Sequence, residues 1–203
     1  NHILDPDYKL FCLPGDLLFA LVIHRYGLSK QMRFIFSGLV GNGVMLNFPE
    51  ADNPSISITG VNNKTYLSIE KSGDTSRDKN LVQRLICNYV TFSGQTFPNI
   101  LIPLMAEKDV MINPQRPLII YESMEIDLLR LDINEPELVL SDSNLDVNGK
   151  RGKVSLNFSI MDAGQTVGSG KKNMVLSGLR PYDHDQVKQL IDIYDGRKQA
   201  FGT

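Results

Sequence analysis

The chain has 203 residues, of which 42% are apolar, and its 21 basic and 23 acidic side chains leave a formal net charge of −2. That is enough apolar material for a real core, which excludes disorder, and without a run of five like charges there is no electrostatic footprint for nucleic acid or an anionic membrane. The longest apolar run, Leu17 to Ile23, falls far short of the roughly 20 residues that span a bilayer, so a soluble chain is expected.

The sequence opens at Asn1 without a charged leader and cleavage site, and a cytoplasmic location is the expectation. Cys12 and Cys87 lie in apolar surroundings and read as buried free thiols of a reducing compartment. The three histidines, His2, His24 and His184, make no zinc spacing with them, so no metal is expected.

Asp16 to Tyr26, between Pro14-Gly15 and Gly27, is apolar all round from Leu17 to Ile23 and predicts a helix buried on every side. Short strands follow at Met32–Phe36, Val44–Phe48, Ser55–Thr59 and Thr65–Ile69, with Gly38 to Gly43 as a turn. A helical stretch at Asp78–Asn88 and an apolar segment from Pro98 through Ala106 open the second half, with Pro98 at the place Pro14 holds in the first. Longer strands come at Leu118–Leu131, Glu137–Leu145, Lys153–Met161 and Thr166–Ser177, and the alternation of Val154, Leu156, Phe158 and Ile160 with polar residues marks a sheet with one wet face. Asp183 with Gln186 is an N-capping pair for a C-terminal surface helix whose face is Val187, Leu190, Ile191 and Tyr194, ending at Gly196 and expected to cover a sheet edge or assist a homodimer. The order predicts an α+β double hot-dog arrangement: two long buried helices, each wrapped by antiparallel strands, with units at 1–75 and 76–182 and an appendage at 183–203.

Particular motifs sharpen this. Asn1-His2-Ile3-Leu4-Asp5-Pro6-Asp7-Tyr8, followed by Leu13-Pro14-Gly15-Asp16, and the pair Ser72-Gly73-Asp74-Thr75-Ser76 with Phe97-Pro98-Asn99, resemble the MaoC-like hydratase and dehydratase family. In that family an Asp and a His act on an enoyl thioester in a loop before a buried helix. Here the His position holds Leu4, or His2 one residue early, and in the second copy it falls at Asp78 or Lys79, so the dyad is incomplete. The segments Pro14 to Leu21, Phe92 to Pro98 and Val175 to Tyr182 are also similar to a gamma-proteobacterial family of unknown function, which implies a bacterial origin.

Hydration of an enoyl thioester needs a base, an acid and donors for the thioester carbonyl. The resemblance implies backbone donors at the helix openings, making Pro14, Gly15 and Asp16, and Gln95, Thr96, Phe97 and Pro98, candidate substrate-binding residues. Asp74, Asn99 and His2 are the candidate acid–base and orienting side chains, although Ser72-Gly73-Asp74 also reads as a solvated turn and Asp16 as a complement to the helix dipole. Lys150-Arg151-Gly152-Lys153 and Lys171-Lys172 are candidate contacts for coenzyme A phosphates or an acyl carrier protein, or solvated hairpin charges. The expectation is an acyl- or enoyl-thioester-binding protein with coenzyme A or phosphopantetheine as part of its substrate and no other cofactor. Three outcomes follow: a hydratase or dehydratase with a remodelled site, an acyl-thioesterase, or a non-catalytic acyl sensor or scaffold.

Overall fold

The computed structural model describes residues 12–50 and 53–200. Helix α1 (Gly15–Tyr26) is followed by strands β1 (Leu28–Phe36), β2 (Leu46–Asn47), β3 (Ser55–Gly60) and β4 (Thr65–Ser76). A second helical run then comprises α2 (Lys79–Thr96), a π-helical segment (Phe97–Leu101) and α3 (Ile102–Glu107). It leads into β5 (Val110–Met111), β6 (Leu118–Leu128), β7 (Glu137–Asn148), β8 (Arg151–Asp162), β9 (Gln165–Ser177), β10 (Arg180–Pro181) and α4 (His184–Ala200).

Eight strands form one antiparallel sheet in the order β2-β3-β4-β1-β6-β9-β8-β7, and β5 pairs with β10 apart from it. Outward from the β1–β6 seam, each side carries the first, fourth, third and second strand of its own set, and each set follows a helix. This is the α+β double hot-dog topology expected from the order of elements. Among the described residues β7 is an edge strand, and a bulge at Leu140/Asp142 and the charges of Glu137, Asp142 and Asp146 disfavour further pairing there.

The helices depart from expectation in three ways. First, α1 buries Leu18, Phe19, Val22, Ile23 and Tyr26, whereas Leu17 and Leu21 are 43% and 40% exposed, so the sheet and α2 cover one face only. Second, Pro98 does not open a helix, because the run continues through it from Lys79 to Glu107. A proline has no N–H to return to the carbonyl four residues back, which here is Gly94. The hydroxyl of Tyr194 on α4 donates to that carbonyl instead, and the helix widens into the π segment, where the Ile102 N–H reaches Phe97. Third, α4 does not cover a sheet edge. Its Val187, Leu190 and Tyr194 are buried in the same cluster as Phe97, Leu101, Leu104 and Met105, and the helix runs on past Gly196.

The Asp78 carboxylate caps α2 through the Leu81 N–H (2.8 Å), and Asp183 caps α4 through the N–H of Gln186 (3.0 Å), with the Gln186 amide returning to it (2.8 Å). Buried apolar side chains form two clusters. One holds α1, the first strands, the N-terminal half of α2, and Met124, Ile126, Leu128, Phe158, Ile160 and Val167 of β6, β8 and β9; the other holds the π segment, α3, α4, and Leu145, Val154, Leu156, Met174 and Leu176 of β7 to β9. The long helix is thus shared between the clusters rather than wrapped by one set of strands. Cys12 is half-buried and Cys87, on the outer face of α2, is exposed, so both thiols are free but only Cys12 is sheltered.

Replacing Tyr194 by Phe is expected to cost about 1–3 kcal/mol in urea denaturation, the penalty for an unsatisfied buried carbonyl. In a P98A background, which restores an N–H to the helix, the cost is expected to shrink. Equal costs in both backgrounds would show that the Tyr194 hydroxyl does not stand in for the missing donor.

Candidate functional site

Asp16, one residue inside α1, points its side chain across the molecule rather than out of the helix end. Its Oδ1 accepts from the Tyr89 hydroxyl (2.7 Å) and from Lys172 Nζ (3.2 Å), and its Oδ2 from the hydroxyls of Ser93 (2.7 Å) and Tyr121 (2.8 Å). Lys172 Nζ also donates to Ser93 Oγ and to the Tyr121 hydroxyl oxygen, each at 2.7 Å. The carboxylate therefore has four donors and the ammonium three acceptors, which exhausts both. Nζ also lies 4.0 Å from the centroid of the Tyr121 ring, within cation–π range.

These five side chains come from α1, α2, β6 and β9 and meet where the two apolar clusters adjoin. Lys172 is fully buried, and 15% of the Asp16 side chain is exposed. Burial would raise the Asp16 pKa, but the Lys172 charge and the hydroxyls of Ser93, Tyr89 and Tyr121 outweigh it and hold the carboxyl below its ordinary range. Burial pushes Lys172 down, opposed by Asp16. Burial and then the Asp16 charge hold Tyr89 and Tyr121 well above the usual phenol range, so both remain donors.

A cavity of about 420 Å³ lies against this cluster, with Tyr121 as shared wall. It is lined by the segment Cys12–Gly15, by Leu18, by Phe36 to Leu39 at the end of β1, by Ile119 to Glu122 on β6, and by Arg151 and Val175. Strand β1 pairs with β6 only from Gln31 to Ile35, opposite Asp127 to Ser123, and the cavity lies beyond that pairing. The Leu17 and Leu18 N–H groups turn back to the Pro14 carbonyl (3.0 and 3.2 Å), while those of Gly15 and Asp16 have no acceptor among the described residues. Gly15 permits the close fit to Tyr121, because a Cβ there would lie 2.3 Å from the ring. Burial pushes the Cys12 thiol pKa up, which keeps it a thiol.

Of the residues singled out from the sequence, Pro14 and Gly15 line the cavity, and Asp16 adjoins it with its carboxylate turned into the buried cluster. His2 lies outside the described residues. Asp74 is on β4, its side chain 80% exposed and paired with Lys30 (3.0 Å). The turn expected at Ser72-Gly73-Asp74 is instead a bulge in β4: between the pairs Gln31–Ser72 and Ser29–Thr75, two residues, Gly73 and Asp74, face one on β1, Lys30, and Gly73 takes a φ of +74°. Gln95 and Asn99 are exposed on the long helix, Thr96 bonds back to the Phe92 carbonyl (3.3 Å), and Phe97 packs on Tyr194. With Pro98 they sit inside the helix rather than at its opening, so they present no free N–H groups.

Lys172 corrects a further expectation: it is a core cation and not a surface contact like Lys171. The signal was present, since Lys172, Met174 and Leu176 alternate on the inward face of β9. Ser93, Tyr89 and Tyr121 were not singled out, because a hydroxyl on an apolar helix or strand carries no spacing that marks its partner. Among the described residues no three His, Cys, Asp or Glu side chains group to hold a metal, and no helix is long and apolar enough to cross a membrane.

Residues 1–185 match the model of a family described as protein of unknown function, DUF3581. No curated protein matches the sequence. Among solved structures the chain is similar to an acyl-CoA thioesterase II, TesB2, from Mycobacterium marinum, with 10% identity over 90% of this chain and 97% of that one and a TM-score of 0.46. A tesB protein of Mycobacterium avium subs paratuberculosis aligns at 10% identity over 81% and 87% of the two chains with a TM-score of 0.46. An N-terminal dehydratase from the difficidin assembly line aligns at 12% identity over 92% and 90% with a TM-score of 0.37.

Replacing Lys172 by Met is expected to cost about 3–5 kcal/mol in chemical denaturation, because it leaves the Asp16 charge buried without its partner. The D16N/K172M double variant should recover part of that loss. Because the folded chain holds the Asp16 pKa below its unfolded value, its stabilisation is complete above the ordinary carboxylate range, about pH 4, and is lost as pH falls through the lower folded value. An acid-unfolding curve for D16N that falls as steeply as the wild type's would contradict this.

Proposed function

The chain belongs to the DUF3581 family of proteins of unknown function, and we propose that it binds an acyl thioester in the cavity beside α1. The thioester carbonyl accepts from the Gly15 and Asp16 N–H groups, and the acyl chain lies along Leu18, Phe36 and Ile119. The observation that carries this reading is one cavity of about 420 Å³ that joins apolar walls to a helix N-terminus with two N–H groups still without partners among the described residues. A carbonyl oxygen suits that end, since it satisfies the donors and places partial negative charge where the helix dipole favours it. Apolar walls suit a hydrocarbon tail and give nothing to a polar one.

Binding without turnover is the reading these side chains favour. The same donors would stabilise an oxyanion, but a reaction also needs a group to move a proton, and the Asp16 carboxylate and Lys172 ammonium have their lone pairs and hydrogens engaged. Burial keeps Cys12 a thiol, and Glu122, which also lines the cavity, is exposed to solvent. A second reading, hydration or hydrolysis, rests on the 15% of the Asp16 side chain that remains exposed and requires the Tyr121 hydroxyl to leave it.

Thermal-shift titration with pantetheine and coenzyme A thioesters of increasing acyl length, with free coenzyme A as control, tests the proposal. The shift is expected to saturate and to grow with acyl length, reaching about 2.7 kcal/mol of stabilisation at 100 times the dissociation constant. The absence of a shift with every thioester would overturn the reading. Thiol release or loss of enoyl absorbance in the same samples, abolished in D16N, would establish the second reading instead. The G15A variant is expected to bind more weakly and to lose about 1–3 kcal/mol of stability, because its methyl group pushes the Tyr121 ring into the cavity.

A further inference from the structure

The cavity extends to both faces of the sheet. Ile119 and Tyr121 face the helices, as does Leu176, with which Ile119 is in register. Ile120 pairs with Val175, and Val175 with Lys153, so these side chains and Arg151, two residues before Lys153, stand on the opposite face. All except Leu176 and Lys153 line the cavity. It therefore passes the margin of β6, from an inner end at Gly15, Leu18 and Tyr121 to an outer mouth at Arg151, Glu122 and Val175. We infer that this mouth recognises a phosphate on the arm that carries the acyl group, with Arg151 as the specificity-determining residue and Lys153 beside it; the inference rests on the thioester reading above.

Arg151 differs from four of the chain's eight other arginines, and unlike Arg77, Arg116 and Arg180, whose guanidinium groups are similarly unpartnered among the described residues, it lines the cavity. Arg33 and Arg130 are held in ion pairs with Glu70, Glu125, Asp132 and Asp162, and Arg25 and Arg84 donate to the carbonyls of Phe48 and Asn134. The Arg151 guanidinium has no ion pair or hydrogen bond among the described residues, although it borders a cavity. Its backbone is nonetheless firmly placed. Arg151 is in register with Asn148 and Ser177, the Lys150 carbonyl accepts the Leu179 N–H (3.0 Å), and Gly152 packs so closely that a Cβ would lie 2.8 Å from a Leu145 methyl. A guanidinium on a fixed strand, with none of its five donors engaged among the described residues, matches the oxygens of a phosphate in a two-pronged contact.

The local charge is mixed. Glu122 shares the mouth, and Asp146 stands across from Lys153 in register, but neither comes within ion-pair distance of a basic group among the described residues. Lys150, Arg151 and Lys153 together outnumber these two carboxylates. An extended arm with its phosphate at this mouth and its thioester at the α1 N-terminus has the chemistry of phosphopantetheine. Two sources carry that group: coenzyme A and the prosthetic arm of a carrier protein.

Affinities of one acyl group presented as the pantetheine, 4′-phosphopantetheine and coenzyme A thioester decide the matter, measured by thermal shift on the full chain at low and moderate salt. The 4′-phosphopantetheine ester is expected to bind at least tenfold more tightly than the pantetheine ester, with an advantage that falls as salt rises. In R151Q that ratio should collapse towards one, and in R151K it should return only in part, because an ammonium lacks the two-pronged geometry. Equal affinity of coenzyme A and 4′-phosphopantetheine esters would place recognition at the phosphate both sources share, whereas a further gain for coenzyme A would identify it as the source. Equal binding of phosphorylated and unphosphorylated esters to the wild-type chain would overturn the inference and leave the thioester reading intact; no binding of any ester would overturn both.

Discussion

Removing a carboxylate and an ammonium from water costs several kcal/mol per ion, and the cost is offset only when both are paired and every remaining lone pair and hydrogen finds a partner. Asp16 and Lys172 meet that condition with Tyr89, Ser93 and Tyr121, and so tie α1, α2, β6 and β9 to one point. The pair also penalises wrong registers. A one-residue slip of β9 would place Lys171 or Asn173 where Lys172 stands and would turn Lys172 to the solvent face, leaving Asp16 charged and unpaired. Two apolar clusters that could each tolerate some repacking are thereby fixed relative to one another.

The long helix meets a second constraint of the same kind. Pro98 deprives the carbonyl of Gly94, the residue after Ser93, of its donor, and α4 supplies a replacement through Tyr194 while packing its apolar face on the segment the proline has widened. The helical run therefore continues through Pro98 to Glu107. Both arrangements follow one rule: a buried polar group persists only where a distant part of the chain completes it.

Tyr121 links this framework to the cavity. Its hydroxyl is fixed by Asp16 and Lys172, so its ring forms a rigid wall, and the missing side chain of Gly15 lets that wall stand against the start of α1. The cluster thus shapes the wall of the cavity. A wall held by hydrogen bonds at its far end is preorganised, so whatever meets it pays little to order it.

What the sequence determined by itself was local. Period-2 alternation placed Val154, Leu156, Phe158 and Ile160 on one face of β8, Asp78 and Asp183 marked the helix starts where their carboxylates cap, and the order of helix and strands gave the double hot-dog architecture, because these signals depend on neighbours a few residues apart. The tertiary structure alone decided that Asp16 turns inward instead of serving the helix end, that Lys172 is a core cation while Lys171 is not, that Pro98 lies within a helix, and that Arg151 reaches the cavity. Each of these depends on a partner far away in the chain: 156 residues separate Asp16 from Lys172, and 100 separate Gly94 from Tyr194. No spacing rule connects such pairs, since the cost of burying one member is set by a partner that only folding brings within reach.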